Sequence, residues 1–250
     1  MNRTALLFVL LAGLALGRPE TPERVIAIDP GHGGAESSGR IEDRTLSSAN
    51  NAKTPSGILE KTLTLELSKQ IAHALESLGK ENHLRVKVRL TREADHNPDF
   101  AERARRCLGD GSPPAAIVSV HFNASASHAA RGSVGMVAAP DHNVHFERDK
   151  ALASRLTQAV SRGVAAFVPG SKARAPITDS HLHGGRGSHF FHQLQKIPEL
   201  REVPACFLEV EFIDRTDIEE QLIRRRAESF PKIAREVAKE LLALAEEGTR

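Results

Sequence analysis

The segment VIAIDPGHGG, residues 25–34, indicates the fold class because an apolar run within it comes to an abrupt stop. Four consecutive apolar residues before Asp29 are typical of a strand that is buried on both faces. Pro30 and the three glycines cannot continue such a strand, so they predict a tight loop directly after it. That loop carries His32, which therefore lies just beyond the carboxyl end of a buried strand.

Outward from this segment, helical and strand patterns alternate along most of the chain. Apolar residues at helical spacing predict helices over residues 59–79, 100–108, 149–167 and 227–247. Short apolar or alternating runs predict further strands over residues 86–90, 116–122, 133–139 and 205–213. Such an order predicts a single α/β domain around a largely parallel or mixed sheet.

The composition narrows the classes of function. The chain has 250 residues, which suits one domain, and its formal net charge of +2 gives no nucleic-acid footprint. It contains no Trp and no Tyr, so a carbohydrate site made of stacked Trp or Tyr is excluded. Cys107 and Cys206 could pair in an oxidising compartment, but the apolar neighbours of Cys206 favour two buried thiols.

The N-terminus has the outline of a secretory signal peptide. A short basic start precedes an almost unbroken apolar run over residues 5–16, with small residues where a signal peptidase would cleave. An uncleaved membrane anchor is the alternative, but the run is short for a bilayer span. We expect residues 1–17 to be a signal peptide, residues 18–24 a short linker and residues 25–250 the folded domain of an exported protein without a stable membrane span.

Polar residues end or interrupt three of the apolar strands. His32 follows the first strand, His121 ends the third, and Glu209 interrupts the last. Ligands of open α/β sheets bind at the carboxyl ends of strands, so these side chains could meet in one crevice, and Glu60 could join them from a helix start. Two neutral imidazoles and one carboxylate make a three-ligand zinc set with a position left for water. A second carboxylate could then act as the general base.

Each of these residues also has an ordinary structural explanation. A lone His after a strand is more often a loop or core residue than a ligand, and a Glu at a helix start commonly favours the helix dipole. A Glu inside an apolar strand is harder to explain in this way, because a buried carboxylate needs a partner. The residues alone therefore leave a metal site and a structural role equally open.

Five segments in order resemble the motifs of the zinc-dependent N-acetylmuramoyl-L-alanine amidases, whose catalytic domain is often called amidase type 3. They are VIAIDPGHGG, GILEKTLTLELSKQIAHAL, VRLTREAD with FAERARRCL, AAIVSVHFNAS and ACFLEVEFI. The resemblance implies a six-stranded sheet with helices on both faces, and a zinc amidase catalytic domain over residues 25–250. It also implies an enzyme of the periplasm or cell wall that cleaves the amide bond between N-acetylmuramic acid and L-alanine in peptidoglycan.

Residue by residue, the resemblance implies His32, Glu60 and His121 as ligands of one Zn²⁺ per chain, and Glu209 as the general base. A zinc peptidase that acts on stem peptides and an inactive wall-binding regulator of the same fold are the alternatives. The sequence shows no appended wall-binding repeat. Peptidoglycan is therefore the one partner that the resemblance names, and any activator protein stays unknown.

Two further family positions carry polar residues, Asp29 and Arg103. Asp29 either orients a ligand imidazole or bonds the glycine-rich loop, whereas Arg103 is expected to anchor a loop. The chain departs from the family at Glu211, where Gly is usual. Strand alternation puts Glu211 on the same face as Glu209, where it could tune the base, bind substrate or be the active carboxylate itself.

Two polar segments add open questions. Residues 37–56 form a longer loop than the compact members of the family have, and this loop could shape or cover a substrate groove. Four histidines stand between residues 181 and 192, and either one of them polarises a carbonyl or binds a second metal, or all belong to a polar loop with flexible glycines. We expect the polar loop for these four residues: His181, His183, His189 and His192.

Overall fold

A six-stranded mixed sheet forms the centre of the computed structural model, which describes residues 23–247. The strands are β1 (Arg24–Pro30), β2 (Val86–Leu90), β3 (Ala116–Asn123), β4 (Val134–Val137), β5 (Ile177–Thr178) and β6 (Ala205–Phe212). Their order across the sheet is β2-β1-β3-β6-β4-β5. Neighbours are parallel except β6 and β4, which are antiparallel.

Helices cover both faces of this sheet. They are α1 (Glu60–Glu81), α2 (Phe100–Leu108), α3 (Phe146–Ala165), α4 (His189–Lys196), the single-turn α5 (Thr216–Ile218) and α6 (Arg226–Glu247). One core cluster joins the sheet to α1, α3 and α6, and a second joins its other face to α2 and α4. The prediction of an α/β domain with helices on both faces is confirmed.

Local sequence explains why the helices next to the site form where they do. In α1 the apolar residues recur three or four positions apart, and Leu63, Leu67, Ile71 and Leu75 are all buried against the sheet. In α2 the side chain of Asp99 caps the helix by accepting a hydrogen bond of 2.7 Å from the backbone N–H of Glu102. Both helices therefore begin at fixed points beside the carboxyl ends of the strands.

Strand register brings the carboxyl ends of β1, β3 and β6 to one edge. Asp29 of β1 is level with Ser119 of β3, and Ser119 is level with Phe207 of β6. Two residues further along, His121 of β3 lies directly beside Glu209 of β6. The loop that carries His32 follows β1 at the same edge, so the sheet itself gathers three of the sequence-predicted site residues.

Two loop segments contain more structure than their sequences indicate. The segment 170–187 contains the two-residue strand β5 and turns of 3-10 helix, and it leads into α4. The long loop over residues 37–56 contains two isolated bridges, Ser38 to Ser47 and Lys53 to Leu59. β5 and the two isolated bridges lie in segments whose own sequences have no strand pattern.

Several predictions concern residues at the ends of the chain or the two thiols. The predicted signal peptide over residues 1–17 lies outside the described residues, as does most of the predicted linker, and β1 already begins at Arg24. Within residues 23–247, no helix combines the length and the apolar character that a bilayer crossing requires. Cys107 and Cys206 are both buried and free, as expected.

Candidate metal centre

Three side chains from distant segments meet at the carboxyl edge of the sheet. Nε2 of His32 lies 3.2 Å from Oε2 of Glu60, and Nδ1 of His121 lies 3.1 Å from Oε1 of the same carboxylate. The two imidazole rings stand edge to face, with centroids 4.9 Å apart. One nitrogen or oxygen atom from each residue falls within 4.8 Å of the others, which is close enough for the three to share one ion.

The backbone before His32 allows these rings to approach. A Cβ atom on Gly31 would lie only 2.6 Å from Nε2 of His121, so glycine leaves the space that the second imidazole occupies. His32 itself has a φ of 60°, in the left-handed region that side chains other than glycine rarely adopt. This backbone turns the His32 ring back towards Glu60 at the start of α1.

Two buried arginines hold the strained loop in place. Arg103 donates to the carbonyl oxygens of Pro30 and His32 at 2.9 and 2.7 Å. Arg92 donates to the carbonyl oxygens of Pro30 and Gly31, at 2.9 Å in both cases. Burial is the main reason that the pKa of Arg92 falls to about 10, which still leaves the guanidinium charged at neutral pH. The loop-anchoring role expected for Arg103 is confirmed, and Arg92 does the same work although the sequence patterns did not single it out.

Asp29 is the counter-charge of this scaffold. Its Oδ1 accepts a hydrogen bond of 2.7 Å from Nη1 of Arg103 and another from Thr91, and its Oδ2 accepts one of 2.7 Å from Ser119. Burial by itself would raise the pKa of Asp29, but Arg103 and the two hydroxyl donors outweigh it and the pKa is lowered. Asp29 thus holds Arg103, the arginine that anchors the loop, and none of its hydrogen bonds reaches the ring of His32 or His121.

The loop over residues 48–52 touches two of the three candidate ligands. Nδ1 of His32 lies 3.0 Å from the carbonyl oxygen of Ser48 and 3.1 Å from its hydroxyl. The backbone N–H of Ala52 donates to Oε2 of Glu60 at 2.9 Å. Such outer contacts fix the orientation of a metal ligand. The sequence could not predict these contacts, because most of them are made by backbone groups, which every residue has.

The charges of the cluster suit a cation. Burial alone would raise the pKa of Glu60, but hydrogen bonds from His121 and His32 outweigh it, so the pKa is lowered and the carboxylate is ionised. Burial lowers the pKa of His121, which keeps that imidazole neutral and able to donate a lone pair. Nε2 of His121 is buried without a hydrogen-bond partner, whereas Nε2 of His32 lies 3.2 Å from Oε2 of Glu60. Two imidazoles and one ionised carboxylate are a donor set that Zn²⁺ binds in hydrolases.

Glu209 stands beside this cluster without being hydrogen-bonded to it. Its neighbour across the sheet is His121, and its Oε2 is buried without a partner among the described residues. Burial first, and the negative charge of Glu60 second, raise the pKa of Glu209 well above its ordinary value. An unpartnered carboxylate at this position is suited to exchange protons with a bound molecule.

Comparison with known proteins decides the family. The sequence profile of the N-acetylmuramoyl-L-alanine amidases matches residues 26–242, most of the chain. This protein belongs to the N-acetylmuramoyl-L-alanine amidase family. The match makes the chain an amide hydrolase of the class that acts on peptidoglycan, as the sequence motifs predicted. Among curated proteins, none matches the sequence significantly.

Solved structures agree with the family assignment in their fold. The amidase AmiC2 of Nostoc punctiforme is 19% identical, with a TM-score of 0.59 over 92% of this chain and 99% of that one. The catalytic domain of the amidase CwlV from Bacillus (Paenibacillus) polymyxa is 21% identical, with a TM-score of 0.60 over 89% and 98%. The amidase Ami1 of Mycobacterium smegmatis is 17% identical, with a TM-score of 0.62 over 90% and 97%. At these identities the likeness shows the shared fold.

In this amidase, Glu211 does not share the environment of Glu209. The β3–β6 register shifts between His121 and Asn123, so that two residues of β6 stand opposite Phe122 alone and the simple alternation of faces is broken. Oε1 of Glu211 accepts a hydrogen bond of 2.6 Å from the backbone N–H of Gly132, and Oε2 accepts one from Ser171. The alternation that placed both carboxylates on one face was therefore wrong, and Glu211 ties two loops to the strand end.

The histidine segment of the amidase is more ordered than the polar loop that we expected. His189 begins α4, is only 1% exposed, and stacks on the ring of His183 with centroids 3.8 Å apart. Burial, with the neighbouring His183, lowers the pKa of His189 to about 4. Within residues 23–247, the one group of three His, Cys, Asp or Glu side chains close enough to share an ion is His32, Glu60 and His121.

Proposed function

We propose that this amidase uses one zinc ion, held by His32, Glu60 and His121, and that Glu209 is its general base. The substrate bond is the amide between N-acetylmuramic acid and the L-alanine of the stem peptide. The observation that carries the proposal is the convergence of two imidazoles and an ionised carboxylate beside Glu209, whose Oε2 is buried without a hydrogen-bond partner. The resemblance of the sequence to the family motifs implies the same four residues.

His32, Glu60 and His121 would hold the zinc ion, which when bound would polarise the scissile carbonyl and lower the pKa of water to about 7. The chain's own residues do the rest. Glu60 contributes the negative charge of the ligand set, while the outer contacts from Ser48 and Ala52 keep His32 and Glu60 in their orientations. Oε2 of Glu209 has no internal partner, so it is free to take the proton of the attacking water and to deliver it to the leaving nitrogen.

The location of the reaction follows from its substrate. Peptidoglycan lies outside the cytoplasm, so an enzyme that hydrolyses it must be exported. The basic and apolar pattern of residues 1–17 supplies a signal for export, and residues 25–250 then form the zinc amidase catalytic domain. We place the mature protein in the periplasm or at the cell wall.

Product analysis tests the proposal directly. The full chain, loaded with zinc, is incubated with purified peptidoglycan, and the released material is separated and identified by mass spectrometry. Free stem peptides that begin at L-alanine, together with glycan strands stripped of peptide, are the expected products. Shortened peptides still attached to glycan would instead identify a peptidase, and binding without any release would identify an inactive regulator.

Zinc content provides the matching physical test. Elemental analysis of the purified protein should find one zinc per chain, and His121→Ala should lower that content. Protein that hydrolyses peptidoglycan fully after exhaustive chelation would overturn the assignment of the metal. Because family membership does not depend on the ion, such a result would leave the amidase class intact.

A further inference from the structure

A groove of about 1040 Å³ lies at the carboxyl edge of the sheet, next to the candidate metal centre. Its walls come from three short segments, residues 51–55, 124–128 and 214–217. These segments are the loop before α1 and the loops that directly follow β3 and β6. The strands that carry His121 and Glu209 therefore run straight into the walls of the groove.

One wall is continuous with the contacts that orient the candidate ligands. The backbone N–H of Ala52 holds Glu60, and the Ser48 hydroxyl beside His32 donates to Oδ1 of Asn51 at 2.9 Å. Asn51 and Ala52 also line the groove. The groove therefore shares Asn51 and Ala52 with the contacts that orient the candidate metal ligands.

The lining of the groove favours a peptide over a sugar. Its lining includes the small apolar side chains of Ala52, Pro55, Ala124 and Ala126. Among the described residues that line it, the imidazole of His128 is the one aromatic ring, so the groove offers no Phe surface on which a sugar ring could stack. Small apolar side chains with a few polar groups among them suit an extended chain of small residues.

Both aspartates that line the groove have a close basic neighbour. Asp214 Oδ2 lies 2.7 Å from Nδ1 of His128, and Asp217 Oδ1 lies 2.9 Å from Nε of Arg215. Lys53 is exposed and has no carboxylate within ion-pair distance among the described residues. Of the Lys and Arg side chains in the described lining, Lys53 is therefore the one without a paired carboxylate.

We propose that this groove binds the stem peptide of the substrate and that Lys53 pairs with a carboxylate of that peptide. The inference rests on the proposed amidase function and assigns the groove to the peptide side of the scissile amide bond. His128 also lines the groove, and its Nδ1 lies 2.7 Å from Oδ2 of Asp214. Lys53 is a specificity-determining residue in this scheme and takes no part in proton transfer.

The test compares two soluble muramoyl peptides, one with free carboxylates and one in which the carboxylates are converted to carboxamides. The wild-type chain should prefer the free carboxylate by about tenfold in kcat/KM, mainly through KM, because a charge-assisted contact is lost in the amide. Lys53→Gln should remove most of this preference, and Lys53→Glu should reverse it. Lys87→Gln, at an exposed position on the edge strand β2, is the matched control and should keep the wild-type preference.

The possible outcomes separate the two proposals. If the wild-type chain hydrolyses the muramoyl peptides but Lys53→Gln keeps the tenfold preference, the groove inference is overturned and the amidase function stands. If the Lys53 variants change the dependence on glycan length instead, the groove holds the sugar side and the inference is again wrong. If the wild-type chain releases no peptide from any of these substrates, the proposed function itself fails, and the inference fails with it.

Discussion

Gly31 and His121 are in direct contact at the candidate metal centre. The α-carbon of residue 31 lies so close to the imidazole that an added Cβ would stand 2.6 Å from Nε2. This distance is below any normal non-bonded contact, so one of the two groups would have to move. Residue 31 must therefore be glycine because the imidazole of His121, which is 90 residues away in sequence, occupies the space of a side chain.

Gly31→Ala should weaken zinc binding more than it weakens folding. The new methyl group pushes the His121 ring away from Glu60, and a displacement of about 1 Å can cost roughly 100-fold in rate. Zinc affinity by competition with a chelating dye and the rate of peptidoglycan hydrolysis measure the effect. Gly111→Ala is the control, because its Cβ meets nothing within 4 Å although its φ of 96° is strained. Equal zinc affinities in both variants would show that the contact at residue 31 is unimportant.

Glu209→Gln should lower kcat by about 100-fold to 10,000-fold, the usual contribution of a general base. The amide has nearly the same shape as the carboxylate but cannot accept the proton of the attacking water. Zinc content should stay at the wild-type level because Glu209 is not among the proposed ligands. The comparison variant is Glu211→Gln, which should reduce stability while the folded protein keeps most of its activity. The reverse pattern would assign the base to Glu211.

Without metal, the same Glu209→Gln substitution should stabilise the protein. The pKa of Glu209 in the folded chain is raised above its ordinary value of 4.5, so the folded state favours the protonated form. The contribution of this group to the free energy of unfolding is therefore fully present below pH 4.5 and is lost as the pH rises through the raised pKa of the folded state. Since Gln does not ionise, the variant should gain on the order of 1 kcal/mol, or about 2–4 °C in Tm, at neutral pH.

Thermal unfolding of chelated protein between pH 4 and 8 measures this effect. The Tm difference between Glu209→Gln and wild type should be small at the acidic end and should grow with pH. A difference that is constant over the range would mean that the carboxyl group does not titrate abnormally. Loss of stability at every pH would mean that Oε2 has a hydrogen-bond partner after all.

Arg103→Leu should destabilise the fold by about 3–5 kcal/mol, because it leaves the carboxylate of Asp29 buried without its partner. The substitution also removes the donors that hold the carbonyl oxygens of Pro30 and His32. Urea unfolding followed by circular dichroism gives the free energy. Arg105→Leu, on the exposed side of the same helix, should change it by less than about 0.5 kcal/mol. Similar losses in the two variants would contradict the role of the buried pair.

The sequence was most informative where chemistry is tied to strand ends. His32, His121 and Glu209 could be placed together because the carboxyl ends of parallel strands meet at one edge, and register then sets two of them side by side. Glu60 was different. It begins a helix rather than ending a strand, and no periodicity distinguishes it from a residue that merely favours the helix dipole. Its position at a helix start allowed it to join the crevice, and the family motifs then implied it as a ligand.

Other features depend on pairings that no single segment encodes. The direction of Glu211 followed from a register shift against β3, and such a shift is decided by both strands and their loops. The contacts of Ser48 and Ala52 with the candidate ligands use mainly backbone groups, which any residue possesses. Burial of His189 required Phe100 and His183 to be brought next to it by tertiary packing. Local patterns cannot anticipate any of these.

The left-handed backbone at His32 has a consequence for the order of assembly. The conformation is costly, and a hydrogen bond from the buried Arg103 guanidinium to the carbonyl oxygen of His32 stabilises it. The coordinating atoms are thus gathered by the fold, and metal capture does not have to drive chain collapse as it does in zinc fingers. A protein built in this way would complete its folding first and take up the proposed cation afterwards.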